Sequence, residues 1–255
     1  MDPRKRKIFD YVCSRGFAAP EELAAMLNVS PITIRRDFIW LEKAGSLKRV
    51  HGGAMLNDLP NAIKDVSSRA LIAIKEKRAI ASLAASMISP RDKIFLDCGS
   101  TCRFLADVIE EKPDLTVFTY SLDSMNAIAS KANIRLIVPG GELHRNISAF
   151  AGQATEAALS SYHFDIAFLG TTGIDLARGL TDDSTAEGAI KHIAAMNSDR
   201  CVILADGSKL GKVAFRAFLK TDEIPLTLIT DSNAPKHLCA SLRKKGIALK
   251  IADMA

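Results

Sequence analysis

Arg35, Arg36, Lys48 and Arg49, with Thr33 and His51 beside them, form a run of hydrogen-bond donors early in the chain. A guanidinium offers a planar fork of N–H groups that matches a phosphate or the O6/N7 edge of guanine. A lysine ammonium grips phosphate as a point charge. A second set of residues lies further on, in short polar stretches that follow apolar ones. These are Asp97-Cys98-Gly99-Ser100-Thr101, Thr119-Tyr120-Ser121, Pro139-Gly140-Gly141-Glu142, Gly170-Thr171-Thr172-Gly173-Ile174-Asp175 and Asp206-Gly207-Ser208-Lys209. Glycine permits close approach, and hydroxyls beside helix N–H groups suit a phosphate. Asp206 and Lys209 add a carboxylate and a cation. The chemistry of the first set is nucleic-acid recognition. That of the second is binding of an anionic, hydroxylated small molecule.

The elements that must position the first set are legible. Ser30 is placed to cap a helix over 31–43, with Pro31 at its first position, where a missing N–H costs nothing. Val29 and Ile34 have the spacing of a hydrophobic staple. Ile34, Phe38 and Leu41 share one face; Ile32, Arg36 and Lys43 point the other way, with Thr33 and Arg35 on the flanks. Before it, 4–15 reads as a first helix ending at Gly16, and 20–27 as a second, with Pro20, Glu21 and Glu22 in its first turn. After it, Gly45 ends the helix and 46–56 reads as a basic hairpin around Gly52-Gly53. Helix, short turn, helix and basic hairpin is the order of a winged helix-turn-helix. Ser30, Ile32, Thr33, Arg35 and Arg36 are then expected to face DNA from the recognition helix, and Lys48, Arg49 and His51 from the wing. Asp37 is expected to orient a neighbouring cation. Trp40, off the buried stripe, is expected to pack on the hairpin or on another domain.

Charge supports the division. Residues 1–56 hold ten Lys/Arg against six Asp/Glu, whereas 57–255 hold twenty-four against twenty-three, so most of the net +5 lies on the first fifth of the 255 residues. The expected domains are a winged helix-turn-helix over 1–56, a polar linker over 57–70 and an effector-sensing domain over 71–255. The five scattered cysteines give no disulfide framework, and Cys98/Cys102 lack the companions of a zinc site. No cofactor or metal is expected. No apolar run is long enough to span a bilayer and no signal core follows the charged start, so a cytoplasmic protein without membrane contact is expected.

From Lys75 onward, helical spacing alternates with short apolar runs: strands at 93–97, 115–119, 134–138, 164–169, 201–205, 226–230 and 247–251, with helices between. That pattern predicts an α/β domain on a mainly parallel sheet covered on both faces. In such sheets ligands collect at the C-terminal strand ends, where the second set of residues falls. The candidate effector site is Asp97, Gly99, Ser100, Thr101, Thr119, Tyr120, Ser121, Gly140, Gly141, Gly173, Asp175, Asp206 and Lys209.

The stretches Ser30-Pro31-x-Thr33-Ile34-Arg35-Arg36-Asp37, Leu41-Glu42, Gly45 and Leu47-Lys48-Arg49-Val50-His51-Gly52-Gly53-Ala54 resemble the DeoR family of bacterial transcription regulators. So do Phe95-Leu96-Asp97-x-Gly99-Ser100-Thr101, Gly140-Gly141, Gly152, Asp165, Gly173-Ile174-Asp175, Gly179-Leu180-Thr181 and Asp206-x-Ser208-Lys209-x-Gly211. The resemblance implies operator binding, a sensor fold shared with sugar-phosphate isomerases and CoA transferases, and a phosphorylated sugar as effector. Phe38 stands where the family has Leu, and Tyr120 where it has Asn, placing a phenol at the expected pocket edge. The expected partners are double-stranded operator DNA, a phosphorylated sugar-like effector and further copies of the chain, as a dimer or tetramer.

An isomerase with an accessory DNA-binding domain is the competing reading. It needs a general base, for which Asp97, Asp175, Asp182, Asp183, Glu187 and His192 are available. Asp182-Asp183-Ser184 also reads as a helix-capping cluster, and His144 and His163 lack a metal-binding partner. Fold alone licenses no chemistry, so the reading adopted is a regulator, a repressor of sugar metabolism, and not an enzyme.

Overall fold

The computed structural model describes residues 2–15, 17–43, 46–50, 52–56, 66–70 and 72–254. The chain divides into two compact units, Met1–Ile72 and Ala73–Ala255. His51, Gly16, Gly45 and residues 57–65 of the expected linker lie outside the described residues.

In the first unit, α1 (Pro3–Arg15), β1 (Phe17–Ala18), α2 (Pro20–Leu27), α3 (Pro31–Lys43), β2 (Leu47–Val50), β3 (Gly53–Leu56) and α4 (Val66–Ala70) follow in order. Part of the stretch read as linker is therefore helical. α2 opens on Pro20 with Glu21 and Glu22 in its first turn and closes on Asn28 in the left-handed region, φ 53°. The Ser30 hydroxyl accepts from Thr33 N at 3.2 Å, so the cap read from sequence forms. Ile8, Phe9 and Val12 of α1, Leu23 of α2, Ile34, Phe38 and Leu41 of α3, and Leu47 of β2 close one core. The wing has a third strand: β3 pairs with β2 on one side and with β1 on the other. A two-residue strand leaves no periodic signal, which is why the sequence showed only a hairpin.

The second unit runs α5 (Ile74–Ala85), β4 (Lys93–Leu96), α6 (Ser100–Val108), β5 (Thr116–Thr119), α7 (Leu122–Ala129), β6 (Arg135–Ile137), β7 (Glu142–His144), β8 (Ala149–Ala151), α8 (Gln153–Ser160), β9 (Ile166–Gly170), β10 (Gly173–Asp175), β11 (Gly179–Asp182), α9 (Thr185–Met196), β12 (Cys201–Leu204), a 3₁₀ turn (Gly207–Lys209), β13 (Arg216–Leu219), β14 (Leu226–Asp231), α10 (Lys236–Lys244) and β15 (Ala248–Ala252). Seven strands form one sheet in the order β15-β14-β12-β9-β4-β5-β6. Every pairing in it is parallel. Ile94 and Leu96 of β4 join Val117, Ile166, Phe168, Val202 and Ile229 in a core under α5 and α6. The alternation of a strand sends Phe95 to the other face, where it stacks on Phe118 and Tyr120 at 6.0 and 5.8 Å.

The chain leaves β4 towards β5 and β6 on one side and reaches β9, β12 and β14 on the other. The ends of β4 and β9 thus form the point where strand order reverses, the place where such sheets open a crevice. The antiparallel sheet β10-β11-β13 and the hairpin β7-β8 are not among the strands expected from the sequence. Gly173 and its neighbours carry turn-type residues; β10 pairs locally with β11, Gly173 opposite Thr181, whereas the other partner of β11, β13, lies far along the chain.

Candidate functional site

The first candidate surface is the outer face of α3 with the wing. Ile32, Arg35, Arg36, Lys48 and Arg49 are exposed, and Thr33 is half-buried. The arginines are not equivalent. Arg35 pairs with Glu21 of α2 at 2.9 Å. Arg49 is held by Glu42 of α3 through its Nε at 2.6 Å and its backbone N–H at 2.9 Å. Those two bonds, the backbone one first, hold the Glu42 carboxyl below the ordinary glutamate range. Among the described residues, neither Arg36 nor Lys48 has an ion-pair partner. A cleft bounded by Pro20, Glu21, Arg35, Phe38, Arg49 and Gly52 runs between the start of α2, α3 and the wing.

Two residues of α3 have structural duties. Asp37 is buried and accepts from Arg4 of α1 at 2.6 Å, with Lys5 at 3.5 Å. It therefore orients cations as its sequence position suggested. Trp40 is 46% exposed, and Lys5 Nζ of α1 lies 5.3 Å from its ring centroid. A cation over an indole face keeps an exposed tryptophan in place without a core around it.

The second candidate surface is the C-terminal edge of the parallel sheet. All five polar stretches fall there, each after a parallel strand: β4, β5, β6, β9 and β12. Gly99, Ser100 and Thr101 open α6 beside the end of β4. Thr119 donates to Leu96 O at 2.8 Å, and Ser121 caps α7 by accepting from Ser124 N at 3.2 Å. Gly140 and Gly141 are exposed, and Thr155 of α8 donates to Gly140 O at 2.8 Å. Asp206 caps the 3₁₀ turn by accepting from Ser208 N at 3.0 Å, with Lys209 half-buried behind it.

Six sequence placements change: Asp97, Thr119 and Ser121 are buried at the strand ends, and three more residues move. Tyr120 is not at the pocket edge; it has no exposed surface and donates to Asp97 Oδ1 beneath the strand ends. Gly173 lies within β10, buried, rather than in an open loop. Asp175 closes the β10–β11 turn by accepting from Arg178 N at 2.7 Å and Ala177 N at 2.9 Å. Those backbone bonds, Arg178 first, lower its carboxyl from the usual range.

Below this edge lies a buried charge cluster. Lys191 of α9 is 3.3 Å from Asp97 and 3.5 Å from Glu187, and is also paired with Asp182. All four are almost fully buried. Gly170 N donates to Asp97 Oδ2 at 2.8 Å, Thr172 to Asp182 Oδ1 at 2.6 Å, and Cys98 to Glu187 Oε2 at 3.5 Å. Burial opposes the Lys191 charge, but Asp182, Asp97 and Glu187 outweigh it and raise the ammonium well above the ordinary lysine range. Burial, then the charge of Asp97, pushes the Tyr120 phenol well up. Burial, then Glu187 and Asp97, does the same to the Cys98 thiol. Cys201 is pushed up to about 12 by burial. The four described cysteines are free and buried, which suits packing and not nucleophilic chemistry. Among the described residues no group of three His, Cys, Asp or Glu could hold a metal ion. The sequence reading missed Lys191. Its one local signal is the Glu187–Lys191 spacing, a single helical turn.

Comparison with known proteins decides the family. The description "DeoR-like helix-turn-helix domain" matches residues 4–59, and "DeoR C terminal sensor domain" matches residues 72–232. The chain belongs to the DeoR family. A "HTH-type transcriptional repressor GlcR" from Bacillus subtilis is 31% identical over 253 residues, 99% of this chain and 97% of that protein. A "Lactose phosphotransferase system repressor" from Staphylococcus epidermidis is 34% identical over 234 residues, 90% of this chain and 92% of that one. Among solved structures, ribose 5 phosphate isomerase A from Neisseria gonorrhoeae aligns over 52% of each chain with a TM-score of 0.39 and 19% identity. That likeness is too low to carry the enzyme's chemistry to this DeoR-family chain. No helix among its described residues is long and apolar enough to cross a membrane.

Proposed function

We propose that this DeoR-family chain is a cytoplasmic repressor of a sugar or carbohydrate operon, released from its operator by a phosphorylated sugar. The observation that carries the reading is the joining of two surfaces in one chain: an exposed basic α3 and wing, and a parallel sheet whose polar loops gather at one edge. The names of the repressors it resembles support the sugar assignment. On this reading, Ser30, Ile32, Thr33, Arg35, Arg36, Lys48, Arg49 and His51 meet DNA. Gly99, Ser100, Thr101, Gly140, Gly141, Asp206 and Lys209 meet the effector. Asp97, Thr119, Tyr120, Ser121, Gly173 and Asp175 shape the loops that present them. Symmetric half-sites call for a dimer or tetramer.

The chain is not an enzyme on this reading. Asp97, Asp182 and Glu187 are buried and tied to Lys191, so none is presented to a substrate as a free base. An effector acts only by binding one state more tightly than the other. The test is titration of operator-bound protein with a panel of sugar phosphates. One of them is expected to weaken DNA binding at least tenfold without being turned over. DNA affinity unchanged at saturation across the panel overturns the effector assignment, and turnover restores the isomerase reading.

A further inference from the structure

Ile32 is a large apolar side chain, 63% exposed, in the first turn of α3. It takes no part in the core built by Ile34, Phe38 and Leu41. Its backbone is fixed: Ser30 O accepts from Thr33 N at 3.0 Å and from Ile34 N at 3.3 Å. A β-branched residue in a helix keeps one strongly preferred χ1 rotamer, so the side chain is presented with little freedom to lose. One turn along, Arg36 is exposed on the same face. Arg35, by contrast, is engaged by Glu21.

A major groove offers one apolar group, the C5-methyl of thymine. We propose that Ile32 is a specificity-determining residue that reads a thymine methyl, while Arg36 reads a guanine on the same helix face. Four residues of helix rise ~6 Å, and bases along a strand step by ~3.4 Å. Each half-site therefore carries its thymine about two steps from the guanine. The inference rests on α3 being the element that enters the groove.

The experiment uses the full chain. Duplexes are selected from a random library by repeated binding, and each thymine in the winning sequence is replaced in turn by deoxyuridine, which removes only the methyl. One thymine per half-site is expected to matter to the wild-type protein, its replacement weakening binding about fourfold, the worth of one buried methyl. Ile32→Ala is expected to bind the thymine duplex about fourfold or more weakly and to be indifferent to deoxyuridine at that position alone. Ile32→Val, which keeps branched methyls, retains the discrimination. The proposal is overturned if Ile32→Ala keeps the wild-type deoxyuridine pattern. It is overturned equally if Ile32→Ala binds as the wild type does. A selection that enriches no sequence fails one step earlier: the reading of α3 as a recognition helix falls, and this assignment with it. Because Ile32 lies outside the core, an unchanged thermal unfolding profile for each variant separates lost contact from lost fold.

Discussion

Lys191 Nζ lies 3.3 Å from Asp97 Oδ2 and so ties the first turns of α9 to the end of β4, at the point where the strand order of the large sheet reverses. The same ammonium serves Asp182 at the end of β11 and Glu187 one helical turn earlier. Removing one partner of a buried ion pair leaves uncompensated charge, which costs about 3–5 kcal/mol. Lys191→Met is expected to destabilise the second unit by that amount in denaturant unfolding. Adding Asp97→Asn is expected to cost less than the two changes separately, because it removes one of the stranded charges.

On the proposed DNA face, Arg36 and Lys48, neither of which has an ion-pair partner among the described residues, are expected to separate base reading from phosphate contact. Arg36→Ala is expected to relax the selected sequence at one position per half-site, at about 1–3 kcal/mol for that contact. Lys48→Ala is expected to weaken all duplexes alike and to reduce the slope of log affinity against log salt by about one per lost phosphate contact. Binding measured on matched and mismatched duplexes over a salt series checks both.

The Glu42–Arg49 contact sets a pH dependence whose sign is fixed. The folded carboxyl is lowered below 4.5, its ordinary value. Its contribution is therefore fully present above that value and is lost as pH falls through the folded one. Carbon-13 NMR titration is expected to place the Glu42 midpoint below 4.5 in the native protein and to move it upward in Arg49→Ala.

Two glycines of the second unit are expected to respond oppositely to alanine. Gly179 has φ +84°, and a Cβ there would stand 2.3 Å from Leu219 O. Gly179→Ala thus combines backbone strain with a clash against backbone and is expected to cost at least about 2 kcal/mol. Gly188 lies in α9, and its Cβ would meet Phe218 Cβ at 3.5 Å, an ordinary contact. Gly188→Ala is expected to be neutral or to stabilise by about 0.5–1 kcal/mol. Thermal unfolding of the two variants side by side measures the difference.

Much of this was legible in the sequence, for physical reasons. Ser30, Pro31 and the Ile34-Phe38-Leu41 stripe define α3 locally, and the helix forms over 31–43 as read. The strands of the large sheet announce themselves because burial on both faces leaves continuous apolar runs, as in Ile166–Gly170. Part of what stayed hidden depends on pairing across long separations, and part on strands of three or four residues. β11 finds β13 through Leu180 and Leu219, and neither strand has length or alternation enough to show alone. The charge cluster joins residues 97, 182, 187 and 191, so nothing near Asp97 in the chain announces its partner Lys191. Tyr120 follows β5 as its sequence position implies, but only the packed sheet shows that its ring stacks on Phe95 beneath the edge.

Glu21 and Glu42 give the proposed DNA face built-in competitors. Each arginine they hold would exchange a tethered carboxylate for a phosphate, so its net gain on any duplex is reduced by the worth of that exposed pair, up to about 1 kcal/mol. A tethered acid cannot diffuse away as a chloride ion does, and it returns whenever the fit is poor. Arg35 and Arg49 would then reward only a duplex that places its phosphates well enough to win the exchange. The two ion pairs, weak as stabilisers of the fold, would act as a filter that shortens the protein's dwell on the wrong stretches of a chromosome.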